Sequence, residues 1–422
     1  MALQLQSESP VKWISVQLWR NAMKLIVLAT LLLSMAAHAV LIKNYDYPIE
    51  DSFVATLTAG NIKPEWSLEL EILEIRMRAG LKMRYSLFEG DAGNDLIFLH
   101  SGLASSHAAE KAIWLAQHIN KRGYHVVVLT SPLFPDNMMA FSGRHYGGLL
   151  DKDGLRLYKK QIRIIEVLKQ RGLQFESVSQ MGYSMGGTHA VFVAMADQQY
   201  KKIQFKRTVS INPALDLGYG IHALDDMQNT SLGFFDRAST LVQALKGVQN
   251  YTSDEPLYSN SYFAAMQDGN QFTREQARFV LGYHYKDIAP GLHKAARQVK
   301  ERYYPLRDCV AGRAIKSIFD YVKFAVLPYA KNRKHDCELS RVEDDANELM
   351  SDYRLQNHGK YLSEDSSLYI FANQDDFLMQ DGDVEFLEQV MPERVYIFPR
   401  GGHFGNVWHK TNMRLLFDVL SE

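Results

Sequence analysis

The chain has 422 residues, 46% of them hydrophobic, enough to bury the core of one large domain or two smaller ones. Lys and Arg total 47 against 48 Asp and Glu, a formal net charge of −1, and no basic patch points to nucleic acid as a partner. No metal-ligand spacing, phosphate loop or dinucleotide fingerprint occurs, so neither a metal nor an organic cofactor is expected.

In chain order, the first feature is Met23-Lys24 followed by the apolar run Leu25 to Met35 and then Ala36-Ala37-His38-Ala39. A positive charge, a short apolar stretch and an Ala-x-Ala site read as a secretory signal peptide over residues 1–39, cut after Ala39, with Met23 as an alternative start to Met1. The apolar stretch, about a dozen residues, falls short of the roughly 20 that span a bilayer. No stable membrane span is therefore expected after cleavage, and the mature protein is expected to be periplasmic or secreted. In such a compartment Cys309 and Cys337, the two cysteines of the chain, are expected to pair as a disulfide.

Leu68 to Ile72 and Leu81 to Phe88 alternate apolar with polar residues, as half-wet antiparallel strands at a sheet edge do. Leu96–Leu99, Val126–Leu129, Thr208–Ile211, Leu368–Phe371 and Val395–Phe398 are short apolar runs of the kind that becomes a parallel strand covered on both faces. Helical patterns lie between them. Ala108 to Lys121 ends at Arg122-Gly123. Leu155, Tyr158, Ile162, Ile165 and Leu168 form one apolar face, with Lys159, Lys160, Arg163 and Lys169 off it and Gly172 as the stop. Alternation of this kind predicts an α/β fold, a mostly parallel sheet with helices on both sides.

Leu173 to Met181 reads as another strand and Thr188 to Ala196 as a buried helix. Between them stands Gly182-Tyr183-Ser184-Met185-Gly186, then Gly187. Gly-x-Ser-x-Gly between a strand and a helix is the nucleophile elbow, a turn tight enough that flanking residues must lack a Cβ. Downstream, Leu368–Phe371 runs into Ala372-Asn373-Gln374-Asp375-Asp376, and Val395–Phe398 into Pro399-Arg400-Gly401-Gly402-His403 before a final helix from Val407 to Leu420.

On these motifs the chain resembles the α/β-hydrolase family over roughly residues 65–215 and 366–422. That family orders its triad serine, acid, histidine, after the fifth, seventh and last strands of its sheet. The resemblance implies Ser184 as nucleophile, Asp375 as acid with Asp376 as the alternative, and His403 as base in preference to His409. It implies an oxyanion hole made by the backbone N–H of Met185 and one from Gly102 or Leu103. Two departures are visible. Ser101 stands between His100 and Gly102, where the family has His-Gly, and Ser131–Pro135 replaces its usual Arg-Gly. His100, near the oxyanion loop, is expected to support it by hydrogen bonding.

About 150 residues separate Asn212-Pro213, at the end of the family's sixth strand, from Ser367, where some 20 to 40 would suffice. The resemblance implies a lid here. The stretch reads as mainly helical, at Ala238–Leu245, Arg274–Leu281, Ile288–Arg302, Ile315–Leu327 and Val342–Met350, and it is rich in aromatics. The expected organisation is a hydrolase core over 40–214 and 366–422, with a helical lid over 215–365. A serine hydrolase acting on a small-molecule or lipid-like carboxylic ester or thioester, with an apolar acyl group and an acyl-serine intermediate, follows. Acyl transfer, amide cleavage or C–C hydrolysis could use the same triad, and a non-catalytic binding protein could keep the same scaffold.

Overall fold

Apolar runs with both faces covered make the middle of one sheet. The computed structural model describes residues 40–42, 45–59, 64–65, 70–76, 82–142, 146–227, 229–250, 272–286, 288–303, 316–330 and 339–422. The expected signal peptide, Cys309 and Cys337 lie outside them. The strands are β1 (Val40–Leu41), β2 (Glu71–Arg76), β3 (Lys82–Phe88), β4 (Leu96–His100), β5 (His125–Leu129), β6 (Val178–Tyr183), β7 (Thr208–Ile211), β8 (Leu368–Asn373) and β9 (Val395–Phe398). They lie side by side in the order β1-β9-β8-β7-β6-β4-β5-β3-β2. β2–β3 and β3–β5 pair antiparallel, and the other pairs are parallel. Every residue of β4, β5, β6 and β7 is buried, as strands between two helical layers must be. β2 is largely wet, as an edge should be. It starts at Glu71 and runs on to Arg76, so that Ile75 packs with Met83 and Tyr85. Counted from β2, this is the α/β-hydrolase fold, with β6, β8 and β9 as its fifth, seventh and last strands. β1, a two-residue strand beside β9, is an addition too short to leave a periodic pattern.

The core helices are α1 (Ser52–Thr58), α2 (Glu110–Asn120), α3 (Pro135–Ser142), α4 (Leu150–Gln170) and α5 (Met185–Tyr200). One side chain of α4 departs from the expected face. Lys160 is 3% exposed, inside with Leu157, Tyr158, Gln161 and Ile164. Its ammonium reaches Met83 Sδ on β3 at 2.6 Å, while α4 presses on α5 through Gly154, where an added Cβ would stand 2.8 Å from Phe192.

Between β7 and β8 come α6 (Leu217–Asp226), α7 (Phe234–Asn250), α8 (Arg274–Lys286), α9 (Ile288–Tyr303), α10 (Ile318–Tyr321), α11 (Leu327–Ala330), α12 (Leu339–Ser351) and α13 (Gly359–Glu364). α10 and α11 are one helix with a π-turn at Val322–Val326. Pro328 explains the widening, because it has no N–H to offer the carbonyl four residues back. These helices share a core with the sheet: Leu217, Leu281, Leu292 and Tyr321 fall in one apolar cluster with Ile370 and Ile397. α14 (Asp383–Val390) and α15 (Lys410–Ser421) complete the fold. His409 is the N-cap of α15, its ring nitrogen accepting from Thr411 N–H, so the last helix begins later than the apolar pattern suggests.

Candidate active site

Ser184 sits between β6 and α5 with φ +56° and ψ −132°. A non-glycine residue held there stores strain on the order of 1–3 kcal/mol. The neighbouring glycines show what holds it. A Cβ on Gly182 would collide with the Gly186 carbonyl, one on Gly186 with the His100 carbonyl, and one on Gly187 would stand 2.9 Å from Ser210 Oγ. The elbow therefore needs small residues on both sides because β4, β7 and the start of α5 crowd it. Ser184 N–H bonds Ile211 O at 2.8 Å, pinning the turn to β7.

Ser184 Oγ lies 2.7 Å from His403 Nε2. His403 Nδ1 lies 2.9 Å from Asp376 Oδ2. The partner of the imidazole is therefore Asp376 and not Asp375. β8 runs through Asn373, whose register partner is Phe398. That is two residues beyond the apolar run visible in sequence, so the turn and its inward carboxylate come later. Asp376 is 4% exposed and also accepts from Leu378 N–H at 2.9 Å and Asn212 Nδ2 at 2.9 Å. Asp375 points to the histidine loop, accepting from Gly402 N–H at 2.8 Å and Gly401 N–H at 3.2 Å. Burial raises its carboxyl pKa, against those two amides.

The histidine loop is shaped by contacts from far away. Gly401 and Gly402 have φ of +150° and +56°, and a Cβ on Gly402 would run into the Ser52 carbonyl of α1. Thr56 Oγ1 accepts from His403 N–H at 2.8 Å and donates to Ser52 O at 2.7 Å. Tyr47 OH donates to Gly405 O at 3.2 Å. Neither Thr56 nor Asn212 was legible as a site residue. Asn212 was visible only as the end of a strand, and Thr56 carries no local signal.

A cavity opens beside Ser184. Its walls are almost wholly apolar: Leu103, Leu133 and Met185 from the core, and Ile221, Leu224 and Met350 among those from the inserted helices. Leu103 and Met185 thus flank the nucleophile. By its position in the first turn of α5, the Met185 N–H has no partner within its own helix. Burial pushes the Tyr183 phenol up. The position of a Cβ on Gly102 lies 3.0 Å from the Tyr183 ring and 3.7 Å from Ser184 Cβ, and Leu103 lines the cavity. Ser101, the extra residue, donates from Oγ to Leu129 O at 2.8 Å and ties the loop to β5. The His100 ring lies inside the fold, Nε2 3.0 Å from Gln180 Oε1, and burial holds its pKa down to about 4. His100 thus serves a buried glutamine pair with its ring and meets the elbow only through its carbonyl.

Behind one wall of the cavity lies a buried carboxyl. Gly148 lines the cavity, and its N–H donates to Asp153 Oδ2 at 2.6 Å. Tyr321 OH donates to Gly147 O at 2.8 Å. Burial pushes the Asp153 carboxyl up to about 7, against Arg156 and the Gly148 N–H. Among the described residues no group of three His, Cys, Asp or Glu side chains could hold a metal ion, and no helix is long and apolar enough to cross a membrane.

No family model matches the sequence, and no curated protein sequence does. Among solved structures, the chain is similar to brefeldin A esterase, a bacterial homologue of human hormone sensitive lipase, at 13% identity over 89% of this chain and 87% of that one, TM-score 0.41. It is also similar to a hyperthermophilic esterase from the archeon Pyrobaculum calidifontis, at 15% identity over 94% and 97%, TM-score 0.40. A third likeness is to a putative dipeptidyl aminopeptidase IV from Bacteroides ovatus, at 13% identity over 84% of this chain, TM-score 0.41; the chain spans 35% of that protein.

Proposed function

We propose that the protein is an exported serine hydrolase that cleaves a carboxylic ester or thioester with an apolar acyl group. The observation that carries the reading is the relay from Asp376 through His403 to Ser184, at 2.9 Å and 2.7 Å, beside an apolar cavity. A serine hydroxyl is a poor nucleophile until a base takes its proton. His403 Nε2 is placed to do so, and then to protonate the leaving alcohol or thiol. Asp376 accepts the Nδ1 proton, so the ring presents a lone pair to Ser184, and its charge stabilises the imidazolium that forms. The tetrahedral oxyanion would be met by the N–H of Met185 and one from Gly102 or Leu103, each such donor worth roughly 3–4 kcal/mol in the transition state. The acyl-serine is then hydrolysed by water activated at the same His403.

The walls supply no charged group for the acyl chain, which supports an unsubstituted hydrocarbon over a charged or peptide-like one. The inserted helices would act as the lid over that chain. Export rests on the lysine, short apolar run and Ala-x-Ala site of residues 23–39; N-terminal sequencing of the secreted protein tests it. The activity is tested by labelling with a fluorophosphonate probe, beside Ser184→Ala and His403→Ala, followed by p-nitrophenyl esters graded by acyl length. Labelling of the wild type that both substitutions abolish is expected. A folded wild type that neither labels nor turns over any ester would favour a binding protein on the same scaffold.

A further inference from the structure

Asn212 ends β7 in a conformation few side chains adopt, with φ +46°. Asn enters this left-handed region more readily than most residues. Its N–H bonds Phe371 O at 2.7 Å, which holds it against β8. The side chain is 3% exposed, and its Nδ2 donates to Asp376 Oδ2 at 2.9 Å. That is the oxygen His403 Nδ1 also faces. Asn212 Oδ1 faces Asn373 Nδ2 at 3.5 Å, and the same Nδ2 donates to Gly402 O at 2.7 Å, one residue before His403. Asn212 therefore touches the carboxylate on one side and, through Asn373, the histidine loop on the other.

We propose that Asn212 is a positioning residue of the triad, whose amide fixes the Asp376 carboxylate in the orientation that receives the His403 Nδ1 proton; the inference rests on the serine-hydrolase reading. With Nδ2–H and Nδ1–H on Oδ2 and the Leu378 N–H on Oδ1, the carboxylate cannot rotate without losing a charge-assisted hydrogen bond. The amide also has no proton to give up, so it stabilises the ionised form without competing for the imidazole proton. The ionisable groups around it are Asp376 and Asp375 on the turn after β8, His403, and the phenols of Tyr219 from α6 and Tyr285 from α8. Burial raises both phenols, so they stay neutral throughout the test range.

The test compares wild type, Ser184→Ala, Asn212→Gly and Asn212→Asp, by fluorophosphonate labelling rate and p-nitrophenyl butyrate kinetics from about pH 5.5 to 9, with thermal melts as the fold control. Glycine takes φ +46° without strain and deletes the amide. Its kcat is expected to fall on the order of 10–100-fold with little change in KM. In Asn212→Asp two carboxylates must share a proton. At low pH the introduced carboxyl, still protonated, replaces the amide as donor, so the ratio of variant to wild-type rate is expected near one. It should fall at least tenfold as pH rises and the shared proton leaves. A purely structural role would give a flat ratio. A flat ratio in folded Asn212→Asp, or wild-type kcat in Asn212→Gly, overturns the proposal. If Asn212→Gly does not fold, the near-isosteric Asn212→Asp variant decides alone. Failure of the wild type to label, or labelling that survives Ser184→Ala, overturns the serine-hydrolase reading and this inference with it.

Discussion

Two adjacent carboxylates, Asp375 and Asp376, make the sharpest test of the site. In Asp376→Asn the carboxylate that receives the His403 Nδ1 proton becomes an amide. If its NH₂ faces the ring, Nδ1 must accept and the proton moves to Nε2, opposite Ser184 Oγ, where a base is needed. The ring then has no lone pair for the serine proton, and a loss on the order of 10⁴ in kcat is expected, about 5.5 kcal/mol of transition-state stabilisation. Asp375→Asn acts elsewhere. Its carboxylate binds the amides of Gly401 and Gly402, and an Asn side chain can still accept from one of them. Losing one charge-assisted bond costs about 1.5–3 kcal/mol, offset in part because burial already disfavours the Asp375 charge. The expected outcome is a modest loss of stability with kcat within about tenfold of wild type. Steady-state kinetics on p-nitrophenyl butyrate, beside thermal melts, separate the two. A folded Asp376→Asn that keeps more than a tenth of wild-type kcat, or an Asp375→Asn as dead as Asp376→Asn, would refute the assignment.

Three further outcomes follow from the same geometry. Thr56→Val keeps the shape but leaves the buried His403 N–H without an acceptor; a kcat drop of roughly 5–10-fold and a lower melting temperature are expected from a penalty of about 1–3 kcal/mol, and an unchanged kcat counts against α1 as a support of the base. Asp153 has a folded pKa of about 7, above its ordinary carboxylate value. The native state therefore holds a proton that the unfolded chain has lost between about pH 4 and 7, so this group's contribution to stability falls as pH rises through that window and is flat above it. In Asp153→Asn that slope should vanish, and its stability relative to wild type should grow by on the order of 4 kcal/mol at most from pH 4 to 8, read from denaturant melts; a constant difference means Asp153 stays ionised. Leu224→Trp fills the cavity and is expected to cut kcat/KM for p-nitrophenyl decanoate more than tenfold while sparing the acetate. Equal losses on both esters would place the acyl chain elsewhere.

What the sequence made legible was local. Gly182 to Gly187 shows its geometry in its own composition, since each glycine answers to a backbone contact within the strand–turn–helix or its next neighbour. The apolar runs of β4, β5 and β7 signal burial on both faces, and Arg274 and Ile288 begin helices at the residues the pattern indicates, whereas the strand read over 173–181 is Val178–Tyr183. The acid was blurred because the end of β8 depends on pairing of Asn373 with Phe398, which no periodicity reveals. Lys160 was misplaced because it packs on β3, its ammonium against Met83, a partner no helical stripe reveals. Thr56 and Tyr47 lie roughly 350 residues from the loop they hold. A single threonine or tyrosine offers no signal at that range.

The pair of glycines before His403 shows how one motif can be read correctly for an incomplete reason. Taken alone, Gly-Gly-His needs only a tight bend, and the positive φ of both glycines meets that need. Yet the Gly402 Cβ is excluded by the Ser52 carbonyl, a group on α1. The same helix meets the inserted helices: the Arg274 guanidinium of α8 lies 4.7 Å from the Phe53 ring centre and 3.2 Å from Asp51 Oδ2. As an exposed ion pair the Asp51 contact is worth little. The stack matters more, because Phe53 lies flat against Phe377 at 6.0 Å and Phe377 meets the His403 ring at 5.0 Å. A displacement of α8 would therefore reach the imidazole through two aromatic rings, and a displacement of α1 would reach it through the Thr56 hydrogen bond. The base is thus held by a segment that closes on it from the far end of the chain and is itself braced by the inserted helices.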